Sequence, residues 1–170
     1  MTNCSETVYL GIGSNEGDSV YILKESIIEI GSYLHDLHAS SIYSTSPQGF
    51  LNQNDFYNCV IVGTYLGSAE SLLEKCQYVE NAFGRIRRMK NGPRTLDIDI
   101  LLYGNSVIKT NELTIPHSQL KLRKFVLVPL LDLDWTIKDP ETGEPYSDAL
   151  ISLGNQGIYY NDLNSYSATL

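Results

Sequence analysis

Between Thr7 and Tyr103 the spacing of apolar residues switches repeatedly between two and three-to-four, and this constrains the chain more than any other feature. Val8, Leu10 and Ile12 alternate with Tyr9 and Gly11 through Thr7 to Gly13, as in a half-buried strand. Gly13-Ser14-Asn15-Glu16-Gly17 ends that strand as a turn. From about Ser19, Leu23, Ile27, Ile30 and Leu34 fall on one helical stripe. His38 to Thr45 is rich in β-branched and aromatic residues and predicts a second strand, halted by Ser46-Pro47-Gln48-Gly49 and a polar loop to Asp55. Tyr57 to Leu66 predicts a third strand. Ser68 then caps a helix on which Glu70 favours the first turn, Leu72, Cys76, Val79 and Phe83 share a face, and Gly84 marks the end. Leu96 to Tyr103 predicts a fourth strand, with Val107 and Ile108 as a short return strand.

Strand, helix, strand, strand, helix, strand is the order of a ferredoxin-like α+β fold, an antiparallel sheet with two helices packed on one face. A further short helix is expected over Phe125 to Leu133 despite Pro129, and Asn155 to Leu170, without periodicity, is expected to be irregular. The 170 residues suit one domain spanning 1–170. No apolar run approaches the roughly 20 residues needed to cross a bilayer, and Met1 to Glu6 carries no signal-peptide pattern, so a cytoplasmic protein is expected. Cys4, Cys59 and Cys76 include no CxxC pair, which argues for reduced thiols over a disulfide framework or structural zinc. His35 and His38 have no partners at metal-ligand spacing.

The formal charge of −8 argues against general binding to nucleic acid or anionic lipid. The positive charge is concentrated nonetheless. Arg85, Arg87, Arg88, Lys90 and Arg94 fall within ten positions, and Lys121, Arg123 and Lys124 within four, which points to one local anion site. Directly after the first group, Asp97 and Asp99 alternate with Leu96, Ile98 and Ile100, although Asp is depleted in strands. Alternation puts the two carboxylates on one face about 7 Å apart. Leu101, Leu102 and Tyr103 continue the strand apolar on both faces, which predicts a central position in the sheet. The carboxylates repel each other unless a divalent cation joins them, and Mg²⁺ prefers one or two carboxylates plus phosphate oxygens. With the glycine-bounded arginine loop from Gly84 to Arg94, this is the metal and cation combination of phosphoryl-type transfer. A solvated strand face and a solvated basic loop are the bland alternatives. Two rival classes stay open on these residues: a nucleotidyltransferase with a ferredoxin-like palm, and an RNA-binding module of the same fold, the latter disfavoured by the acidic total.

The run Lys90-Asn91-Gly92-Pro93-Arg94-Thr95-Leu96-Asp97-Ile98-Asp99-Ile100-Leu101 resembles the signature of the 6-hydroxymethyl-7,8-dihydropterin pyrophosphokinase (HPPK) family. Gly13-Ser14-Asn15, Thr45, Pro47 and Gly49, Phe56 and Asn58, Glu80 before Gly84-Arg85, and Pro116-His117 follow in family order, over roughly Tyr9 to Leu131. The resemblance implies a ferredoxin-like fold with added elements and transfer of pyrophosphate from ATP to a pterin hydroxymethyl group, giving AMP, in folate biosynthesis. It further implies that Asp97 and Asp99 hold two Mg²⁺ ions, that Arg85 and Arg94 are catalytic phosphate clamps, and that Arg87 and Arg88 lie around ATP. Gln77, Glu80, Ile98, Leu113, Thr114, His117 and Arg123 are implied on the nucleotide side. Phe56 and Phe125 are implied to stack the pterin ring, with Gly13, Thr45, Pro47, Gln48 and Asn58 about its edge. A monomer acting on ATP and the pterin, without a nucleic-acid or membrane partner, is expected.

Overall fold

The computed structural model describes residues 5–47, 52–84 and 93–160. Strand β1 (Ser5–Ser14) buries Val8, Leu10 and Ile12 on one face, as its alternation requires. Helix α1 (Ser19–Gly31) begins at Asp18, whose carboxylate accepts the Tyr21 N–H at 3.2 Å. It presents Leu23 and Ile30 to the same core. Leu34, expected on the helical stripe, instead opens strand β2 (Leu34–Ala39), because the helix stops three residues earlier and the apolar spacing carries across the boundary.

The single strand expected over His38 to Thr45 is two strands, β2 and β3 (Tyr43–Thr45), both antiparallel to β4 (Phe56–Leu66). The break lies at Ser40, whose N–H still donates to the Val60 carbonyl at 2.9 Å while its hydroxyl accepts the Val60 N–H at 2.9 Å. Helix α2 (Ala69–Ala82) starts at the capping box of Ser68 and Ser71 and buries Leu72, Cys76 and Val79. Gly84 follows it at φ 74°, a left-handed conformation that glycine adopts freely.

Strand β5 (Asp97–Tyr103) pairs only with β1, in a sheet ordered β5-β1-β4-β3-β8, with β2 also on β4 and β8 spanning Ile158–Tyr160. This corrects the central position expected for β5: among the described residues it is an edge strand. Leu101, Leu102 and Tyr103 are apolar on both faces because both faces are covered by a core, and that coverage says nothing about the number of neighbouring strands. Opposite Tyr9 and Leu10 the register slips by one residue at Leu101, so Leu101 and Leu102 both join the second core.

That second core lies on the other face of the sheet. Helices α3 (Lys124–Leu133) and α4 (Tyr146–Ser152) bury Leu127, Leu130 and Tyr146 against Val60, Leu101 and Leu102. The helix expected from Phe125 to Leu133 is α3, Pro129 included, whereas α4 was not anticipated. Ile108 does not return along the fourth strand. With Lys109 it forms β6 (Ile108–Lys109), paired with β7 (Thr114–Ile115) in a separate two-stranded sheet, and Val107 is exposed. In the segment expected to be irregular, β8 pairs antiparallel with β3, placing Tyr43 and Tyr160 edge to face with centroids 5.9 Å apart. The thiols of Cys59 and Cys76 are free and buried, and burial pushes each up to about 12. No helix among the described residues is long and apolar enough to cross a membrane.

Candidate active site

The side chains on the α3 face of the sheet are unusually small in β1: after Tyr9 come Gly11 and Gly13. In register with them lie Asp99 and Asp97 of β5 on one side, and Val60 and Asn58 of β4 on the other. The missing side chains leave a cavity of about 170 Å³, roofed from α3 by Arg123, Phe125 and Val126 and walled by Thr45, Phe56 and Arg94. Gly13 cannot be replaced without disturbance, since a Cβ there would sit 2.9 Å from Asn58 Oδ1. Asn58 is itself held by donating from Nδ2 to Thr45 Oγ1 at 3.2 Å. Glycine, asparagine and threonine from three strands thus form one polar corner.

The opposite end of the cavity is charged. Asp97 and Asp99 share the cavity face while Ile98 and Ile100 enter the α1–α2 core, as the alternation predicts. Arg94 pairs with Asp97 and also places its guanidinium 5.7 Å from the Phe56 ring centroid. Arg123 stands 5.6 Å from the Phe125 centroid. Both arginines that line the cavity therefore lie over an aromatic ring, within cation–π range. Burial pushes the Asp99 carboxyl above the usual carboxylate range and the neighbouring Asp97 charge adds to this, while His117, Arg123 and Arg94 oppose it. Two adjacent carboxylates, one raised in this way, are a donor set that fits Mg²⁺, which completes its shell with water and phosphate oxygens. Among the described residues no group of three or more His, Cys, Asp or Glu forms an all-protein cage.

Two side chains outside the cavity hold its charged end in place. Glu80 of α2 is buried and accepts the Ile98 N–H at 2.7 Å, occupying a backbone donor on the open edge of β5. Asn15, only 2% exposed, accepts the Arg94 N–H on Oδ1 at 2.9 Å and donates its own N–H to the Arg94 carbonyl at 3.1 Å. Its Nδ2 also donates to Gln53 Oε1 and to the Asn54 carbonyl. The turn expected at Gly13 to Gly17 is thus also the anchor of Arg94. Sequence reasoning gave Asn15 no role, and the signal available was an asparagine at a strand end within a family motif. His117 donates its backbone N–H to the Leu101 carbonyl at 3.0 Å, and its Nδ1 accepts the Gln119 N–H at 3.3 Å.

Of the residues expected at the site, Gly13, Thr45, Phe56, Asn58, Arg94, Asp97, Asp99, Arg123 and Phe125 line the one cavity. Ile98 faces the opposite core, and Pro47 lies beside the cavity-lining Ser46 without lining it. Gln77 is exposed on α2, Leu113 is buried, and Thr114 belongs to β7, so none of these three lines the cavity. Gln48, Arg85, Arg87 and Arg88 lie outside the described residues.

Residues 9–135 match the model of the family described as 7,8-dihydro-6-hydroxymethylpterin-pyrophosphokinase (HPPK). The chain belongs to the HPPK family. It is 38% identical over 142 residues to the 2-amino-4-hydroxy-6-hydroxymethyldihydropteridine pyrophosphokinase of Aquifex aeolicus, covering 84% of this chain and 89% of that protein. To the protein of the same name from Haemophilus influenzae it is 42% identical over 130 residues, covering 75% of this chain and 81% of the other. Its fold matches the Plasmodium falciparum HPPK-DHPS solved with pteroate at a TM-score of 0.71 and 15% identity, over 88% of this chain and 42% of that longer one. Pyrophosphokinases are ATP-dependent diphosphotransferases, and this HPPK chain is an enzyme of that kind.

Proposed function

We propose that this HPPK chain transfers the β,γ-pyrophosphoryl group of ATP to the hydroxymethyl group of 6-hydroxymethyl-7,8-dihydropterin, releasing AMP, in folate biosynthesis. The observation that carries the reading is that one cavity holds a polar corner sized by Gly13 at one side and an aspartate pair flanked by Arg94 and Arg123 at the other. A flat heterocycle with hydrogen-bonding edges suits the first, and a polyphosphate suits the second. Asn58 and Thr45 offer amide and hydroxyl groups to the pterin edge, while Phe56 and Phe125 supply ring faces for stacking.

The hydroxymethyl oxygen attacks the β-phosphorus in line. A new oxygen–phosphorus bond forms there as the bond to the α,β-bridging oxygen breaks, AMP departs with that oxygen, and the hydroxyl proton passes to solvent. No covalent enzyme intermediate is required. Arg94 and Arg123 stabilise the charge that moves toward the leaving oxygen, and the fixed cavity walls hold the two substrates in reacting geometry. Bound at Asp97 and Asp99, two Mg²⁺ ions would neutralise the phosphate oxygens. Arg85, Arg87 and Arg88 are assigned to the same phosphates on the family pattern, with Gln77, Glu80, Ile98, Leu113, Thr114 and His117 on the nucleotide side. The chain acts as a monomer in the cytoplasm.

Phosphorus NMR of a mixture of ATP, pterin and enzyme tests this directly. AMP and a pterin diphosphate appear only with Mg²⁺; release of free pyrophosphate, or no reaction, overturns the reading.

A further inference from the structure

The part of the chain beyond the family match reaches back to the backbone that carries the cavity roof. Helix α3 begins with two cations, Arg123 at the cap and Lys124 at the first turn, and Arg123 offers no side-chain cap. Cations at the positive pole of a helix are electrostatically disfavoured, and its first N–H groups need acceptors. Gln156 supplies one. Its Oε1 accepts the Lys124 N–H at 2.9 Å and its Nε2 donates to the Leu122 carbonyl at 3.0 Å. The amide therefore bridges the backbone on both sides of Arg123, one residue before Phe125. Both of those side chains line the cavity and are stacked on each other. Two residues later β8 adds to β3, whose Thr45 closes the polar corner. The segment from Gln156 to Tyr160 thus ties the α3 roof to the β3 wall.

We propose that Gln156 is a positioning residue that fixes the Arg123–Phe125 pair over the cavity, so that the C-terminal strap sets affinity for the pterin. This rests on the functional reading above. Fixing the backbone on either side of Arg123, at Leu122 and Lys124, removes freedom that Arg123 and Phe125 would otherwise lose on binding, so the effect falls on affinity more than on turnover.

The test compares the wild type with Gln156→Ala and Gln156→Glu in the full chain. Binding of 6-hydroxymethylpterin is followed by its own fluorescence, alongside KM, kcat and the thermal midpoint. Gln156→Ala is expected to raise Kd and the pterin KM about fivefold, with a smaller fall in kcat because Arg123 also steadies the leaving oxygen. Gln156→Glu keeps the acceptor for Lys124 but loses the donor to the Leu122 carbonyl, and is expected to recover only part of the loss. Unchanged pterin affinity in Gln156→Ala, in protein shown to be folded, overturns the proposal; so does a lowered melting temperature with unaltered Kd. Hydrogen exchange at the Lys124 amide reads the strap without any ligand. If the wild type neither binds the pterin nor forms AMP, the functional reading falls. The strap then falls as well only if Lys124 exchanges equally fast in wild type and Gln156→Ala.

Discussion

Glu80 in α2 accepts a 2.7 Å hydrogen bond from the backbone N–H of Ile98, the residue between the two cavity-facing aspartates. The contact links the helix layer to the edge strand at the point where the carboxylates leave the backbone. Glu80→Ala leaves a buried N–H without this acceptor, and such a loss costs about 1–3 kcal/mol. Urea unfolding should show that decrease, and the Ile98 amide should exchange faster with solvent. Glu80→Gln retains an acceptor oxygen and should cost less.

Asp99 is held by burial in a state that disfavours its charge, so its contribution is to chemistry rather than to folding. Asp99→Asn should leave the melting temperature unchanged or higher. AMP formation should drop by on the order of 100-fold or more, the scale expected when an electrostatic element of the transition state is lost. A variant that kept full turnover would remove Asp99 from the site.

Gly13→Ala tests the polar corner. The new methyl group would meet Asn58 Oδ1 at 2.9 Å and push Asn58 from Thr45. The pterin KM should rise about tenfold, equivalent to roughly 1.4 kcal/mol of lost binding, with KM for ATP changed less. Steady-state kinetics with each substrate varied in turn measures the split.

Lys121 Nζ lies 2.6 Å from Asp139 Oδ2, in a cluster against Tyr146 on the α4 side. Burial opposes the Asp139 charge, but the Lys121 hydrogen bond and backbone donors from Glu141 and Thr142 hold its carboxyl below the usual range. The stability it supplies is present above the unfolded value, about pH 3.9, and is lost as pH falls through the folded value. Lys121→Met should cost about 1 kcal/mol at pH 7 after solvent screening, and the gap from wild type should close below about pH 4. Thermal unfolding across pH 3 to 8 follows it.

Much of the scaffold was legible in the spacing of apolar residues. Val8, Leu10 and Ile12 predict one face of β1, and Leu72, Cys76 and Val79 one face of α2, because each pattern serves a single buried surface. Where two surfaces overlap, spacing misleads: Leu34 continues the α1 stripe numerically yet belongs to β2, and the apolar end of β5 suggests a central strand when it is an edge covered by helices. Gln156 and β8 had no signal at all, since a single amide and three residues of strand carry no period.

The amino-acid sequence alone determined which residues could do chemistry. Two aspartates alternating with aliphatic residues in a strand and a cationic loop before them are chemical facts of composition and order, independent of the distant chain. Tertiary structure decided how these residues are held. Asn15 bonding Arg94, Glu80 bonding Ile98 and Gln156 bracketing Arg123 join positions 79, 18 and 33 residues apart. Hydrogen bonds of this kind depend on where folded elements come to rest, and local spacing contains no information about that.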